Sequence, residues 1–231
     1  MKTVYRFNNK VLKNIANDKW LVNKVDPYNP LNLPPNTVRV RTSDGNMPRK
    51  AGYATYETAT LVPGTTDVYD VYKSGTSFQS LLESSFNVIE VLGANTTGIT
   101  DMTNMFNTCT ALTTVVLFDT TNVTNMKMMF FNCVALTTVA LFNTHNVVDT
   151  SYMFSECENL PIVPLFDTYN VIDMSAMFYK CYKVQSGALA LYLQASSQST
   201  VPSSHYLVFT DCGRDTETGS AELAQIPSDW K

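Results

Sequence analysis

The strongest constraint on the fold of this chain is an internal repeat with a period of 24 residues. A Met-Phe pair and a cysteine recur together at this spacing, and the cysteines are Cys109, Cys133, Cys157 and Cys181. A fixed period in the range of about 20 to 50 residues is the signature of repeat units that stack on one another. One such unit cannot bury its apolar side chains alone, so we expect neighbouring units to share one continuous core.

The spacing of apolar residues changes within one unit. Five side chains recur as on one face of a short helix: Met102, Met105, Phe106, Cys109 and Leu112. Val115 and Leu117 then alternate as in a strand with one buried face, and the Asp-Thr-Thr-Asn run at 119–122 is typical of a turn. Each unit is therefore predicted to contain a strand, a turn and a short helix, with the strands of successive units side by side in a parallel sheet.

Upstream and downstream segments differ from the repeat. Residues 37–42, 53–62 and 68–72 have strand patterns, and a proline cluster precedes them. The frame breaks after Val184, where 188–194 is predicted as a closing helix and 198–231 as a polar tail. We divide the chain into a basic arm with a proline-rich linker (1–35), a β segment (36–74), the repeats (75–184) and a C-terminal cap (185–231).

One complete unit runs from the Asn-Val-Thr-Asn-Met stretch at 122–126, through Met-Phe-Phe-Asn-Cys at 129–133, to Leu-Thr-Thr-Val-Ala-Leu-Phe at 136–142. This unit resembles the BspA-like leucine-rich repeat of bacterial surface proteins, and the likeness covers about residues 75–184. The resemblance implies an α/β solenoid used for adhesion or recognition, with no catalytic residues. The expected fold class is therefore α/β, a leucine-rich-repeat solenoid of 24-residue units with a small N-terminal β segment and a basic N-terminal arm.

Charge is distributed unevenly along the chain. Residues 1–50 hold ten basic and three acidic side chains, a balance of plus 7, whereas the whole chain has a net charge of minus 4, which leaves minus 11 for the rest. A basic arm on an acidic body suggests docking to an acidic partner, although an ordinary lysine-rich surface explains it equally well. The docking candidates are Arg6, Lys10, Lys13, Lys19 and Lys24. We expect no nucleic-acid partner, since no recognition motif accompanies these charges.

The start of the sequence has no apolar stretch of the kind that a secretory signal contains, and no run is long enough to span a membrane. A recognition solenoid without a signal looks like a structural protein of a bacteriophage virion, made in the host cytoplasm and displayed on the virion surface. We therefore expect a non-enzymatic fibre or decoration subunit, homo-oligomeric, whose arm contacts other virion proteins and whose repeats bind a host glycan or protein. The alternatives are a bacterial cell-surface adhesin and, with less support, a glycan-processing enzyme.

Positions at which the units differ are candidates for the outer surface, where aromatic rings serve as contact points. The ligand-binding candidates are Phe131, His145, Tyr152, Tyr169 and Tyr179. An ordinary tolerant surface is the alternative explanation. A further stripe, formed by Phe118, Phe142 and Phe166, stays ambiguous: if Leu117 points inward, alternation turns Phe118 outward and creates an exposed apolar patch.

We predict no catalytic residues, metal or cofactor. The chain has only two histidines, no catalytic sequence motif and no pair of cysteines at metal-ligand spacing. The four repeated cysteines are expected to be small buried thiols of the core, whereas Cys212, outside the repeat frame, could pair between chains. The Met-Phe pairs are likewise expected in the core, and Phe130→Ala is predicted to cost about 3 to 5 kcal/mol.

Overall fold

The computed structural model describes residues 31–49, 58–198 and 201–231, together with the backbone of 6–7 and 10–11. These residues form a mixed α/β structure that is dominated by an open sheet and contains two α-helices. The strands are β1 (Arg6–Phe7), β2 (Lys10–Val11), β3 (Thr37–Thr42), β4 (Ala59–Leu61), β5 (Val68–Tyr72), β6 (Val88–Asn95), β7 (Thr114–Val115) and β8 (Thr138–Val139). The helices are α1 (Ala188–Ser197) and α2 (Glu217–Gln225), followed by a 3₁₀ turn at Ser228–Trp230.

One six-stranded sheet joins the β segment to the repeats. Its strand order is β4-β5-β3-β6-β7-β8, antiparallel as far as β6 and parallel from there onward, while β1 and β2 form a separate antiparallel pair. The predicted strands at 37–42 and 68–72 are confirmed as β3 and β5. Of the predicted strand at 53–62, β4 covers 59–61, and 53–57 lie outside the described residues.

The helix predicted at 102–112 is wrong: this stretch is a ribbon of turns. Asn104 and Thr108 have φ angles of 57° and 59°, in the left-handed region that a right-handed helix excludes. The N–H of Phe106 donates to the carbonyl of Met129 in the next unit, at 2.9 Å. Backbone groups that a helix would pair internally therefore pair between units, which explains why a helix-like spacing of apolar residues is compatible with a different backbone.

The same pairing recurs at each step along the chain. It joins Leu82 to Met105, Phe130 to Met153, Phe154 to Met177 and Phe178 to Val208. Isolated β-bridges connect neighbouring units at one further position. They join Asp101 to Asn125, Asn125 to Asp149, and Asp149 to Asp173. Successive units are thus held in register by direct backbone hydrogen bonds along the ribbon of turns.

The core lies between the ribbon of turns and the strand side of the units, and it contains the predicted residues. The Met-Phe pairs and the five cysteines are buried, and the phenyl rings stack from unit to unit. Ring centroids are 5.4 Å apart for Phe106 and Phe130, and 5.2 Å apart for Phe130 and Phe154. Each of four cysteines donates its thiol to a carbonyl of the preceding unit, for example Cys133 to Phe106 at 3.1 Å.

The closing helix is confirmed as α1, but the segment after it is more than a polar tail. Val208, Phe209 and Cys212 are fully buried and continue the core by one further unit. Cys212 was expected to lie outside the repeat frame; instead it occupies the place that Cys181 has in the preceding unit. The insertion of α1 hides this relation in the sequence, because it lengthens the step to the last unit.

Candidate functional site

An exposed column of leucines runs along the strand side of the repeats. Leu117, Leu141 and Leu165 occupy equivalent positions and are 37%, 57% and 50% exposed. After β7, Val116 and Leu117 are both exposed before Phe118 points inward, and in the next two units Leu141 and Leu165 are exposed directly before the buried Phe142 and Phe166. We call Leu117, Leu141 and Leu165 the leucine column.

The orientation considered for the phenylalanine stripe is therefore reversed. Phe118, Phe142 and Phe166 are buried, and the leucines beside them are exposed. Strict alternation fails here because β7 and β8 are only two residues long and the chain leaves the pleat directly after them. The rings instead pack on the central phenylalanine stack, with centroids 6.2 Å apart for Phe142 and Phe130.

The leucine column widens into an apolar groove of about 320 Å³ between β8 and the next unit. Residues of two successive units line it: Thr137, Thr138, Val139, Leu141, Leu160, Pro161, Ile162, Pro164 and Leu165. Ile162, which is 56% exposed, adds to the apolar surface of the column. The lining contains no charged side chain, so the groove suits a neutral, apolar ligand surface.

Two of the predicted ligand-binding residues, on equivalent turns of successive units, come together. The rings of His145 and Tyr169 stack with centroids 6.1 Å apart, and both side chains are largely exposed. His145 Nδ1 lies 2.9 Å from Asp167 Oδ2, while the N–H of Tyr169 donates to Asp167 Oδ1. The hydrogen bond with His145, together with that from Tyr169, lowers the pKa of Asp167 despite partial burial. The two turns thus present two stacked rings and a carboxylate to solvent.

The other predicted ligand-binding residues lie on the ribbon of turns rather than beside His145. Lys180 Nζ stands 4.9 Å from the ring centroid of Tyr179. A side-chain hydrogen bond with Tyr206 raises the pKa of Tyr152, and burial adds to the effect. Phe131 is half-buried on the same ribbon. The five candidates are therefore distributed over two different stretches of the repeat unit.

The basic arm cannot be placed on this surface. Arg6 and Lys10 lie in β1 and β2, of which only the backbone is described, and Lys13, Lys19 and Lys24 lie outside the described residues. Their predicted role in docking stays a prediction.

Burial determines the chemistry of the cysteines. It raises the pKa of Cys133, Cys157 and Cys181 well above the ordinary range, and that of Cys212 as well. All five cysteines are buried and none forms a disulfide with another, so Cys212 is not placed to bridge two chains. Across the described ranges, no group of three or more His, Cys, Asp or Glu side chains could hold a metal ion. Every helix in the described part of the chain is too short or too polar to cross a bilayer.

The leucine column could not be identified from the sequence, because leucines that recur at a fixed period are typical of a core. A usable signal was present in the proline pair of one unit: Pro161 and Pro164 stand where the preceding unit has Thr137 and Ala140. Proline lacks the N–H that a parallel ladder requires, and it therefore marks the place where neighbouring strands separate.

Comparison with known proteins gives one match. Residues 75–190, half of the chain, match the family described as "Mycoplasma protein of unknown function, DUF285". Searches of the curated proteins and of the solved structures find no match. The matched range covers the repeats and the start of α1, and it is compatible with a BspA-like repeat protein. The chain belongs to the DUF285 family.

Proposed function

We propose that this protein is a non-enzymatic recognition protein of a virion surface, a fibre or decoration subunit whose repeats form a leucine-rich-repeat solenoid. The observation that carries the proposal is the leucine column, in which the leucines of three successive units face solvent. Exposed apolar patches of this kind mark surfaces that bind other macromolecules. Because backbone hydrogen bonds hold the units in register, the column presents its side chains in a fixed geometry.

Fixed geometry favours binding because little conformational freedom is lost when a ligand docks. The turns that carry His145 and Tyr169 follow Leu141 and Leu165 by a few residues in their units and supply polar groups for contact. A host glycan or protein is the ligand class that such a mixture of leucines, stacked rings and a carboxylate fits. Binding through one small surface is weak, so a homo-oligomer displaying several copies would gain avidity.

Attachment to the particle is assigned in this proposal to the basic arm. Residues 1–50, which include the arm, have a balance of plus 7 against minus 11 for the rest of the chain, and such a basic segment suits an acidic surface on another virion protein. Because dissolved salt screens exposed charges, this attachment should weaken as the salt concentration rises.

A second candidate is a bacterial cell-surface adhesin. The membership of the DUF285 family, whose description refers to Mycoplasma, favours a bacterial setting. The leucine column would then bind a host molecule from the cell surface rather than from a particle, so the two candidates share the recognition surface and differ in where the protein is displayed.

Mass spectrometry of purified virions, together with protease shaving of intact bacterial cells, separates these candidates. We expect peptides of this protein in the virions and not among those released from the cells. The recognition surface is tested with recombinant full-length protein on host cells. We expect Leu141→Glu to reduce cell binding by about tenfold, whereas Ile172→Glu, at 56% exposure and outside the column, serves as the matched control. Equal binding by both variants would remove the leucine column from the proposal.

A further inference from the structure

The parallel ladder of the repeats is interrupted at the apolar groove. β6, β7 and β8 pair in order, and the N–H groups of Thr138 and Ala140 donate to β7 or to the residue that precedes it. The next unit does not pair with β8: Ile162 instead bridges to Ser186 on its other side. The sheet therefore has an internal edge at β8, although another unit follows it along the chain.

The prolines of the next unit explain this edge. Pro161 and Pro164 replace Thr137 and Ala140, whose N–H groups donate to the preceding unit at 3.0 and 3.1 Å. Neither proline can donate such a bond. Residues of a parallel strand alternate in the side to which their backbone groups point, so Val139 directs its N–H and C=O away from β7. Neither group has a partner among the described residues.

The groove thus combines two features at one place. Val139, whose backbone groups are free, lines the groove together with the exposed apolar residues Leu141, Ile162 and Leu165. An unpaired strand edge is a template for a further strand. Because the lining is uncharged, charge complementarity favours a neutral, apolar occupant.

The chain itself shows how this surface accepts another segment. Gly93 holds the position of the leucine column in the first unit, one step before Leu117. The side chain of Leu31 covers it, since a Cβ at Gly93 would lie 3.0 Å from Leu31 Cδ1. Asn95 Nδ2 donates to the carbonyl of Leu33 at 2.7 Å and holds this segment in place. Two repeat steps before Leu141, the equivalent position thus already binds a peptide segment through its leucine.

From these observations we infer that the groove between β8 and Pro161–Leu165 binds an extended, apolar peptide segment of a partner protein by strand addition. Val139 exchanges backbone hydrogen bonds with the segment, and alternate apolar side chains of the segment pack on Leu141, Ile162 and Leu165. This inference rests on the proposed function, because the same leucine column supplies the walls of the groove.

The probe is a fluorescent synthetic peptide of alternating leucine and threonine, with a lysine at each end, titrated with the full chain and followed by anisotropy. A second peptide has the same side chains but N-methylated backbone amides, so it lacks the donors. We expect the parent peptide to bind. The methylated peptide should bind at least about tenfold more weakly, because it has lost the backbone hydrogen bonds. No binding of the parent at millimolar concentration, or equal binding of both peptides, would overturn the inference.

The matched protein variant is P161T/P164A, which gives this unit the residues of the preceding one. We expect it to restore the ladder N–H groups, close the edge at β8 and reduce peptide binding by about tenfold. Undiminished binding contradicts strand addition at β8. If this variant does not fold, the pair of peptides decides alone. If the protein binds host cells but not the parent peptide, this inference is refuted and the proposed function stands. If it binds the peptide but neither host cells nor virions, the proposed function is refuted and this inference stands.

Discussion

The ring of Phe209 stacks on that of Phe178, with centroids 6.1 Å apart and planes 3° apart. This pair continues the phenylalanine stack across the insertion that contains α1, and Trp230 lies 6.4 Å beyond Phe209. The last unit and the C-terminal turn therefore close the core, which would otherwise end in an exposed ring and an exposed thiol.

Phe209→Ala is predicted to destabilise the protein by about 3 to 5 kcal/mol, because it opens a cavity inside the stack. We expect the same range for Phe130→Ala in the middle of the stack. Chemical denaturation measures both costs. Tyr206→Ala is the control, since this side chain is 52% exposed, and it should change the free energy of unfolding by less than about 1 kcal/mol. Similar costs for Phe209 and Tyr206 would argue against a core that continues through the last unit.

A row of buried threonines connects the turns of successive units, and each hydroxyl donates to a backbone carbonyl of the next unit. Thr144 Oγ1, 1% exposed, donates to the carbonyl of Asp167 in the next unit at 2.7 Å. Thr144→Val keeps the shape and leaves that carbonyl unpaired, so we expect a loss of about 1 to 3 kcal/mol in urea denaturation. The exposed Thr124→Val, whose bond to Thr100 water can replace, should cost well under half as much. Equal losses in the two variants would mean that the buried threonine hydrogen bonds do not contribute to the free energy of unfolding.

The buried thiols make stability depend on pH on the alkaline side. Burial raises the pKa of Cys157 in the folded state above its unfolded value of about 8.5. Its contribution to stability is fully present below that unfolded pKa and is lost as the pH rises, since only the unfolded chain releases the proton. Each such thiol lowers the free energy of unfolding by about 1.4 kcal/mol per pH unit above about pH 8.5.

Denaturation at a series of alkaline pH values tests this for Cys157→Ala against the unmodified chain. The variant loses packing at every pH, but the difference between the two proteins should narrow as the pH rises. Parallel pH profiles would contradict a buried, protonated thiol at this position.

The ribbon of turns depends on residues with positive φ. Asn132 has a φ of 54°, which glycine adopts freely and a β-branched residue does not. We expect Asn132→Val to be less stable than Asn132→Gly by about 1 to 2 kcal/mol in thermal denaturation. In a helix the order would be reversed, because glycine is the poorer helix former. If the valine variant were the more stable one, the result would contradict the ribbon of turns and favour the helix that the sequence alone predicts.

Much of the repeat could be predicted from the sequence because its period is strict. The spacing of Met129, Phe130 and Cys133 identifies the core, and Asp119 identifies a turn, which it forms by accepting the N–H of Thr121. The backbone between them could not be predicted, since the turn ribbon buries the same positions as a helix. Inter-unit hydrogen bonds, which no local pattern encodes, decide between the two.

The candidate site was less predictable for a similar reason. Leu141 and Phe142 are adjacent apolar residues, and only the departure of the chain from the pleat after β8 decides which of them faces solvent. His145 and Tyr169, in contrast, were identified from their variability within the frame, and the structure places them side by side. The position of Cys212 was hidden because the insertion of α1 breaks the regular spacing.

Thiol labelling of two single-cysteine additions tests the central claim most directly. In the folded protein, Leu141→Cys should react with a maleimide as fast as an exposed thiol, while Phe142→Cys and the five native cysteines stay unlabelled until the chain is unfolded. Rapid labelling at position 142 with protection at position 141 would contradict it, because the phenylalanines would then face solvent and the leucine column would lie in the core.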